Sequence, residues 1–369
     1  MKTFDVAVVG GGIMGCGAAA YLAEAGRSVV LVERTEIAAG ASGRNSGAVQ
    51  HPFDAVLATL HERSIELYRD PSLAEAGFKL PSQPAGLMLI SFDEAAVSLA
   101  AADLAIAWPS LAPHVLPAGD AAREEPALEP GVAACRIETA FPVEPAGATH
   151  AFAERARRAG AQLRTSAEAR VALTGGRATG VALSGGESIS ADQVLVATGP
   201  WTPALIPGWA DDPPIRSVWG VVASITLAKP PTGVLEELGI DQTLADRDRL
   251  FSMVTAAQNT SVGSTFMDGQ PDAAQLAPEI LARGESFVPA LRGARMNAVR
   301  SCARPVSFDG RPLIGSVRGI DGLFVCAGHG PWGISTGPAS AELVARQMLG
   351  QESEAPALSP SRLGSGRPQ

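Results

Sequence analysis

A glycine-rich turn between an apolar strand and a helix, at the start of the chain, constrains the fold most. A buried strand is predicted by FDVAVVG (4–10), a short apolar run rich in β-branched residues. A helix is predicted by GGIMGCGAAAYLAEAGR (11–27), and a second buried strand by SVVLVE (28–33). A β-α-β unit within the first 33 residues indicates a doubly wound α/β domain.

Three glycines in this turn have the spacing G-x-G-x-x-G, and each has a physical role. Gly10 allows the tight turn, Gly12 lets the backbone approach a pyrophosphate, and Gly15 lets helix and strand pack closely. The helix N-terminus offers free N–H groups to a diphosphate. Glu33 ends the second strand, 23 residues after Gly10, where a carboxylate can accept hydrogen bonds from a ribose. The pattern predicts a dinucleotide site, does not separate NAD from FAD, and leaves a plain glycine-rich turn as the alternative.

The composition narrows the class of protein. A chain of 369 residues is long enough for about two domains, and 46% hydrophobic residues can form a sizeable core. The net charge of −9, without a Lys/Arg cluster, argues against nucleic acid as a partner. We expect no signal peptide, because the N-terminus enters a predicted strand at once, and no run of 18 apolar residues occurs. The cysteines have no metal-type spacing and suit a reducing compartment, so we expect a cytoplasmic protein without a metal; they are Cys16, Cys135, Cys302 and Cys326.

The pattern changes twice along the chain. Residues 71–143 contain several prolines, a predicted strand at 86–92 and a predicted helix near 94–107, so we assign them to a different lobe. Residues 215–300 contain one helix and long strands such as RLFSMVTAAQNTSVGSTF (249–266). Long strands of this kind are typical of an antiparallel sheet.

Four further motifs carry a family resemblance. They are GASGRNSG (40–47), QVLVATGPW (193–201), RPVSFDGRPLIG (304–315) and AGHGPWGI (327–334). Together with the glycine turn they resemble the FAD-dependent amine oxidoreductases, the family that includes glycine oxidase, D-amino acid oxidases and dehydrogenases, and sarcosine oxidases. The resemblance covers residues 4–349 and is specific for the family, not for a substrate.

The resemblance implies a fold with two domains. One is an FAD-binding Rossmann-like domain of the glutathione reductase type, and the other is an α+β substrate domain with a mostly antiparallel sheet. We predict that residues 1–80, 141–214 and 295–350 form the FAD-binding domain, that residues 81–140 and 215–294 form the substrate domain, and that residues 351–369 are a disordered tail. The tail prediction follows from its Pro, Ser and Gly content.

The resemblance also implies how FAD is held. The glycine turn and the acid after the second strand would hold the ADP half, and the backbone of Val171 would contact the adenine. The helix that begins near Ile334 would point its positive N-terminus at the flavin, where reduced flavin carries negative charge. The implied cofactor-binding residues are Gly10, Gly12, Ile13, Met14, Gly15, Glu33, Arg34, Ser42, Gly43, Arg44, Asn45, Ser46, Gly47, Val171, Thr198, Gly199, Trp201, Gly328, His329, Gly330, Gly333, Ile334 and Ser335.

Arg304 stands at the position of the arginine that binds the substrate carboxylate in glycine oxidase-like sequences. A planar guanidinium grips a carboxylate with two parallel hydrogen bonds and so fixes the α-carbon relative to flavin N5. The alternatives are an ion pair with Asp309 or a surface arginine. We expect a substrate wall at Trp332, joined by Trp219 or Met253 unless these two are core residues.

The chain departs from the family pattern in two places. Glycine oxidase has a second arginine in the loop where this chain has Pro331 and Trp332, and neither Tyr21 nor Tyr68 matches the carboxylate-binding tyrosine of D-amino acid oxidases. Cys302 coincides with the cysteine that links flavin covalently in monomeric sarcosine oxidases. We expect non-covalent FAD because a small, buried cysteine is the commoner case, and a covalent link at Cys302 is the alternative.

The implied activity is oxidation of the C–N bond of a small amino acid or N-alkyl amino acid to an imine, with hydride transfer to flavin N5. Water hydrolyses the imine to an oxo acid or aldehyde, and oxygen or an electron carrier reoxidises FAD. One alternative is a 2-hydroxy-acid or glycerol-3-phosphate-type dehydrogenase, in which His51 or His329 is the base that an alcohol requires. Another is an electron-passing subunit of a multi-component amine dehydrogenase. The sequence leaves open the enantiomer, and whether the chain forms a homo-oligomer or a hetero-subunit.

Overall fold

The computed structural model describes residues 3–239, 249–352 and 355–364. Within these residues the strands form two eight-stranded sheets and one two-stranded sheet. No described helix is long and apolar enough to cross a membrane. The cytoplasmic location stays a prediction.

The elements are numbered in chain order. The strands are β1 (Thr3–Val9), β2 (Val29–Val32), β3 (Ala48–Val49), β4 (Leu87–Ser91), β5 (His114–Leu116), β6 (Ala133–Ile137), β7 (Phe141–Pro142), β8 (Gln162–Arg164), β9 (Ala169–Thr174), β10 (Arg177–Leu183), β11 (Ser188–Val196), β12 (Ile215–Ile225), β13 (Val234–Glu237), β14 (Arg249–Ala256), β15 (Asn259–Thr265), β16 (Met296–Ser307), β17 (Leu313–Ser316) and β18 (Leu323–Ala327). The α-helices are α1 (Ile13–Glu24), α2 (Ala41–Arg44), α3 (Ala55–Tyr68), α4 (Pro71–Glu75), α5 (Glu94–Ala107), α6 (Asp120–Glu124), α7 (Gly147–Arg158), α8 (Ala273–Glu285) and α9 (Gly333–Met348).

The first sheet confirms the predicted β-α-β start. Its order is β17-β18-β11-β1-β2-β8, and β9 and β10 extend it from β11. The strands β11, β1, β2 and β8 are parallel neighbours. Alternate residues of β1 enter two cores: Val6 and Val8 pack with α1, α7 and α9, whereas Ala7 and Val9 pack with residues of β9–β11. Burial on both faces explains why this strand is apolar throughout.

Helix α1 is buried on nearly every side, which explains its small residues. It packs between the first sheet, α7 and α9. A Cβ at Gly17 would lie 2.7 Å from the Cβ of Ala341 in α9, so glycine permits this close approach. The close packing holds the N-termini of α1 and α9 at the same edge of the sheet.

The second sheet has the order β16-β12-β15-β14-β13-β4-β6-β5. Every neighbouring pair is antiparallel except β13 with β4, which confirms the prediction of a mostly antiparallel sheet. Helix α8 covers one face through Leu276 and Ile280, which pack with Phe251 and Met253. Met253 is fully buried there, so it is a core residue and not a substrate wall.

The segment 249–266 is a hairpin, although its sequence predicts one long strand. Strands β14 and β15 pair antiparallel, with Ala256 opposite Asn259. The turn residues Ala257 and Gln258 both have left-handed φ, 48° and 66°. Two-residue hairpins favour this conformation because it matches the strand twist, and Asn-Gly is its usual sequence signal. That signal is missing here.

Two boundaries differ from the predicted division of the chain. Strand β16 lies in the second sheet, paired with β12 from Ile215↔Ser307 to Ile225↔Met296, although we assigned residues 295–350 to the FAD-binding domain. Residues 355–364 pack on the first sheet, because Leu358 is buried and its carbonyl accepts from the backbone N–H of Ile314 at 2.8 Å. The tail prediction is therefore wrong for these residues, and its other parts include positions outside the described residues. The two-domain division otherwise stays a prediction.

Candidate active site

A cavity of about 1410 Å³ lies between the two large sheets. The carboxyl ends of four strands of the first sheet open into it, through Val9, Val32, Ala197 and Ala327. The facing wall comes from β12–β16 of the second sheet. Small-molecule sites usually measure about 300–1,000 Å³, so this cavity has room for a dinucleotide together with a small substrate.

The glycine turn is held in a fixed shape beside this cavity. Gly10 has a left-handed φ of 113°, and a Cβ there would meet the carbonyl of Ala197 at 2.5 Å. The Glu33 carboxylate accepts from the Gly11 N–H at 2.7 Å and from the Thr35 N–H at 2.9 Å. Ser42 Oγ accepts from the N–H of Ile13 at 3.0 Å, at the first turn of α1. The turn thus presents its backbone to the cavity without a rearrangement.

The predicted cofactor residues line the cavity, with four exceptions: Gly15, Gly43, Gly47 and Gly328. These four shape the surrounding loops instead. A Cβ at Gly15 would strike the carbonyl of Gly10, and a Cβ at Gly43 would strike the carbonyl of Ala38. The predicted catalytic residues Arg304, His329 and Trp332 all line the cavity.

Arg304 is fixed on the side of the cavity that the second sheet forms. Its Nη1 donates to the carbonyl of Thr265 at 2.8 Å, its Nη2 donates to Ser264 Oγ at 2.6 Å, and its guanidinium carbon lies 4.7 Å from the ring centroid of Phe266. Burial lowers the pKa of this guanidinium from its ordinary value. A guanidinium carries more N–H donors than these two hydrogen bonds use. Donors therefore remain for a ligand in the cavity.

Arg304 forms no ion pair with a carboxylate in the described chain. Asp309, the partner that the sequence left open, pairs instead with Arg362, at 2.8 Å to Nε and 3.0 Å to Nη2. Arg362 belongs to the segment that the sequence predicted to be disordered. The alternative of an Arg304–Asp309 ion pair is therefore wrong.

His329 is buried, and it lies at the start of the loop that leads into α9. Neither ring nitrogen has a hydrogen-bond partner within the part of the chain that the structure describes. Burial lowers the pKa of His329 to about 3, so the ring is neutral at ordinary pH. Buried polar atoms are almost always paired in folded proteins, and a bound molecule in the cavity would supply the partner. This observation fits a bound cofactor.

His51 does not share the cavity with His329. Its ring packs edge-on against Trp108, with ring centroids 4.5 Å apart, and its Nδ1 accepts from the N–H of Phe53 at 3.1 Å. His61 lies beside it, with ring centroids 5.8 Å apart. His51 does not line the cavity, so only His329 of the two predicted histidines faces it.

Arg300 is a residue of the site that the sequence analysis missed. Its Nη2 donates to the carbonyl of Asn45 at 2.9 Å and to Ser261 Oγ at 2.6 Å, and its Nη1 contacts Ser224 Oγ. Its Nε donates to the carbonyl of Arg44 at 3.3 Å. Arg300 thus ties the 40–47 loop to the second sheet. The signal was its spacing, because residues four apart on a strand share a face.

The cavity also contains a polar pair that no motif indicated. Gln50 follows β3, Glu236 lies in β13, and both are buried. Gln50 Nε2 donates to Glu236 Oε1 at 3.1 Å.

The other walls of the cavity include Trp219 and Phe266, so the predicted wall at Trp332 has aromatic neighbours around the same cavity. Cys302 lines it too, and burial raises the pKa of its thiol.

At the edge of the cavity Arg34 stacks on Trp201. The guanidinium carbon of Arg34 lies 4.2 Å from the centroid of the Trp201 ring. Arg34 follows β2, and Trp201 lies in the 3-10 helix Gly199–Ala204 after β11. This contact links the loops after β2 and β11, the two strands that flank β1 in the first sheet, next to the glycine turn.

These features indicate the class of protein: an enzyme with a dinucleotide site at the edge of a parallel sheet, in a cavity whose facing wall is a second sheet. The chain belongs to the DAO family, the FAD dependent oxidoreductases, whose model matches residues 5–347. FAD is therefore its cofactor, and the chain is a flavin-dependent oxidoreductase.

Known proteins resemble the chain over nearly its whole length. Glycine oxidase of Pseudomonas aeruginosa is 29% identical over 367 residues, which cover 94% of this chain and 95% of that protein. Glycine oxidase of Bacillus licheniformis is 24% identical over 365 residues, which cover 95% and 94%. The crystal structure of glycine oxidase from Bacillus cereus superposes with a TM-score of 0.83 at 24% identity, over 96% of this chain and 99% of that one.

Proposed function

We propose that this enzyme oxidises the C–N bond of a small amino acid or N-alkyl amino acid to an imine, which water hydrolyses to an oxo acid or aldehyde. The observation that carries the proposal is the Arg304 guanidinium, which faces the cofactor cavity without a carboxylate partner in the described residues. A buried cation is costly unless an anion pairs with it, and a substrate carboxylate fits this position. Its similarity to proteins named glycine oxidase supports the same substrate class.

FAD, when bound, supplies the two-electron acceptor for the hydride that leaves the substrate carbon. The protein contributes orientation: Arg304 binds the carboxylate, and its anchors Ser264 and Thr265 keep the α-carbon in one position. Phe266 and Trp332 exclude water from this end of the cavity. The lone pair of a neutral amine drives the oxidation, so no side-chain base is required.

The dehydrogenase alternative requires a base for the hydroxyl proton. His329 is the predicted candidate in the cavity, and its pKa of about 3 makes it a weak proton acceptor near neutral pH. Amine oxidation is therefore the better-supported reaction.

For the cofactor, we propose that Glu33 binds the adenosine ribose, that residues 12–14 bind the diphosphate, and that the N-terminus of α9 faces the flavin ring.

We propose non-covalent FAD, because a thiol with a raised pKa is rarely the thiolate that bond formation requires. Acid precipitation of the purified holoenzyme tests this. We expect the yellow colour in the supernatant. Colour that stays with the pellet, and disappears from it in Cys302→Ser, would show a thioether link.

Anaerobic flavin bleaching tests the reaction. We expect amino acids, offered as D, L and N-methyl forms, to bleach the flavin, and 2-hydroxy acids to leave it oxidised. The opposite result would replace the proposed function with the dehydrogenase alternative. Peroxide formation in air would then separate oxygen from an electron carrier as the oxidant.

Arg304→Ala tests the carboxylate site. Because truncating one partner of a buried ion pair costs about 2–5 kcal/mol, we expect the apparent substrate affinity to fall at least ~30-fold while FAD stays bound. Arg292→Ala is the matched control, since the Arg292 side chain is 81% exposed and is not one of the residues that line the cavity. An unchanged KM in Arg304→Ala would contradict the assignment.

A further inference from the structure

Gln50 places a buried hydrogen-bond acceptor in the wall of the cavity. Gln50 is 6% exposed and lines the cavity, and its Oε1 has no hydrogen-bond partner in the ranges that the structure describes. Its Nε2 donates to Glu236 Oε1 at 3.1 Å, so the amide oxygen points away from that contact. Buried polar atoms are almost always paired, and a ligand in the cavity with an N–H or O–H group would supply the partner.

The backbone and the side chain of Gln50 are held on opposite walls of the cavity. The backbone N–H donates to Ser335 Oγ at 2.9 Å, at the start of α9 on the cofactor side. The side chain reaches Glu236 of β13, in the sheet that also carries Arg304. The amide oxygen therefore has a fixed position between the cofactor loops and the second sheet.

Arg304 and the Gln50 amide contact the second sheet two strands apart. The Arg304 guanidinium is anchored on β15. In the register of the sheet, Gly263 of β15 lies opposite Ser252 of β14, and Ser252 lies opposite Glu236 of β13. Two strand spacings separate β15 from β13 by about 10 Å. A gap of this size accommodates a carboxylate bound to Arg304, the adjoining α-carbon with its amine, and one hydrogen bond of about 3 Å to Gln50.

Resting on the proposed function, we propose that Gln50 Oε1 accepts a hydrogen bond from the N–H of the reacting amine, so that the enzyme oxidises primary and secondary amines and rejects tertiary ones. The hydride leaves the α-carbon for FAD while the lone pair of the nitrogen forms the C=N bond, and the nitrogen becomes positive. An N–H on a nitrogen that becomes positive is a stronger donor, so the hydrogen bond to Gln50 strengthens toward the transition state.

A tertiary amine has no N–H and would leave the buried oxygen unpaired. A site built to hydrogen-bond a substrate N–H rejects an analogue without this group by about 10⁴–10⁵-fold. The acceptor is also suited to a neutral amine, because an amide oxygen carries no charge that would favour the protonated form. Hydride leaves from the neutral form, so this contact orients the amine in the state that reacts.

The experiment compares amines that differ in their number of N–H groups. Glycine and alanine, the latter as D and L forms, are each compared with their N-methyl and N,N-dimethyl derivatives, and kcat/KM is measured by anaerobic flavin reduction. We expect the wild type to favour the N-methyl over the N,N-dimethyl form at least ~100-fold. Gln50→Met keeps the length of the side chain without the amide, so it should lower this ratio at least tenfold, mainly through a lower kcat for the N-methyl substrate.

Gln270→Met is the matched control. Gln270 also lines the cavity, but it is exposed, so water can pair with its amide. We expect this variant to keep the wild-type ratio. The flavin absorbance of each purified variant reports whether it folds and binds FAD, and Gln50→Leu provides the same readout if Gln50→Met does not.

The inference is overturned if the wild type reduces its flavin equally fast with the N-methyl and N,N-dimethyl forms. It is also overturned if both Gln50 variants keep the wild-type ratio, because tertiary amines are then excluded by their size. Equal losses with all three classes of amine, or a loss of FAD affinity at an unchanged ratio, would assign Gln50 a structural or cofactor role instead. The proposed function fails separately, when no amino acid in any of these forms bleaches the flavin.

Discussion

At the scale of single residues, the proposed carboxylate site depends on a missing side chain as much as on a charged one. Arg304 folds its guanidinium back over its own sheet, above Gly220 of β12. Gly220 lies opposite Cys302 in the register of β12 and β16. A Cβ at Gly220 would occupy the space of the guanidinium. Glycine is therefore required by a contact between residues that are far apart in sequence.

Gly220→Ala is expected to displace the guanidinium from Ser264 and Thr265, and so to raise KM for the amino acid at least tenfold without loss of FAD. Steady-state kinetics and flavin absorbance measure the two quantities. Gly269→Ala is the control, because nothing lies within 4 Å of a Cβ at that position. A Gly220→Ala enzyme with the wild-type KM would show that the guanidinium position is not critical.

The same scale shows what the sequence could reveal about the site. The glycine turn was predicted from its spacing, and Arg304 and the other cofactor loops were predicted because their motifs resemble those of a known family. Gln50 and Glu236 carry no such local signal, and Arg300 has only its spacing of four residues from Arg304 on one strand. Their roles come from contacts between distant segments, such as Gln50 with Glu236 at 3.1 Å, and only the fold brings these together.

At the scale of elements, the sequence analysis predicted helices whose first residue follows a capping side chain. The helix predicted near 94–107 has these bounds in the structure, and Asp93 caps it by accepting from the N–H of Ala96. Asp54 caps α3 in the same way. The hairpin turn at 257–258 was missed because it lacks glycine. The position of β16 in the second sheet was missed because its pairing with β12 is a long-range contact.

Arg300→Met tests how the 40–47 loop is positioned. The variant removes the charged donor to the carbonyls of Arg44 and Asn45, and a hydrogen bond to a charged group contributes about 1.5–3 kcal/mol. We therefore expect FAD affinity to fall about tenfold or more, measured by recovery of flavin fluorescence on dilution. The exposed Arg292→Met is the control. Equal FAD affinity in both variants would mean that the loop keeps its position without Arg300.

At the scale of the whole molecule, the two sheets contribute different parts of one cavity. The first sheet supplies the cofactor turn at its carboxyl edge, and the second supplies Arg304 and the Gln50 partner Glu236. The interface between them contains neutral, buried histidines: His329 lines the cavity, and His51 and His61 lie behind the first turn of α9, where His61 Nδ1 is 3.3 Å from the carbonyl of Ser335. The stability of this junction should therefore depend on pH.

Burial lowers the pKa of His329 to about 3 and that of His51 and His61 to about 4. The unfolded chain binds protons at these groups below pH ~6.5, whereas the folded chain does not, so acid favours unfolding. Each histidine contributes a slope of about 1.4 kcal/mol per pH unit between ~6.5 and its folded pKa. The free energy of unfolding should thus fall steeply from pH ~6.5 to ~5.

Denaturant unfolding of the holoenzyme in excess FAD, at pH ~7.5 and ~5, measures this loss of stability. His329→Gln removes one of the three groups, so the loss between the two pH values should shrink by about 2 kcal/mol. His150→Gln replaces an exposed histidine and should leave the loss unchanged. Equal losses in wild type and His329→Gln would mean that the pKa of His329 is the same in the folded and unfolded chain, because only a difference in bound protons changes the free energy of unfolding with pH.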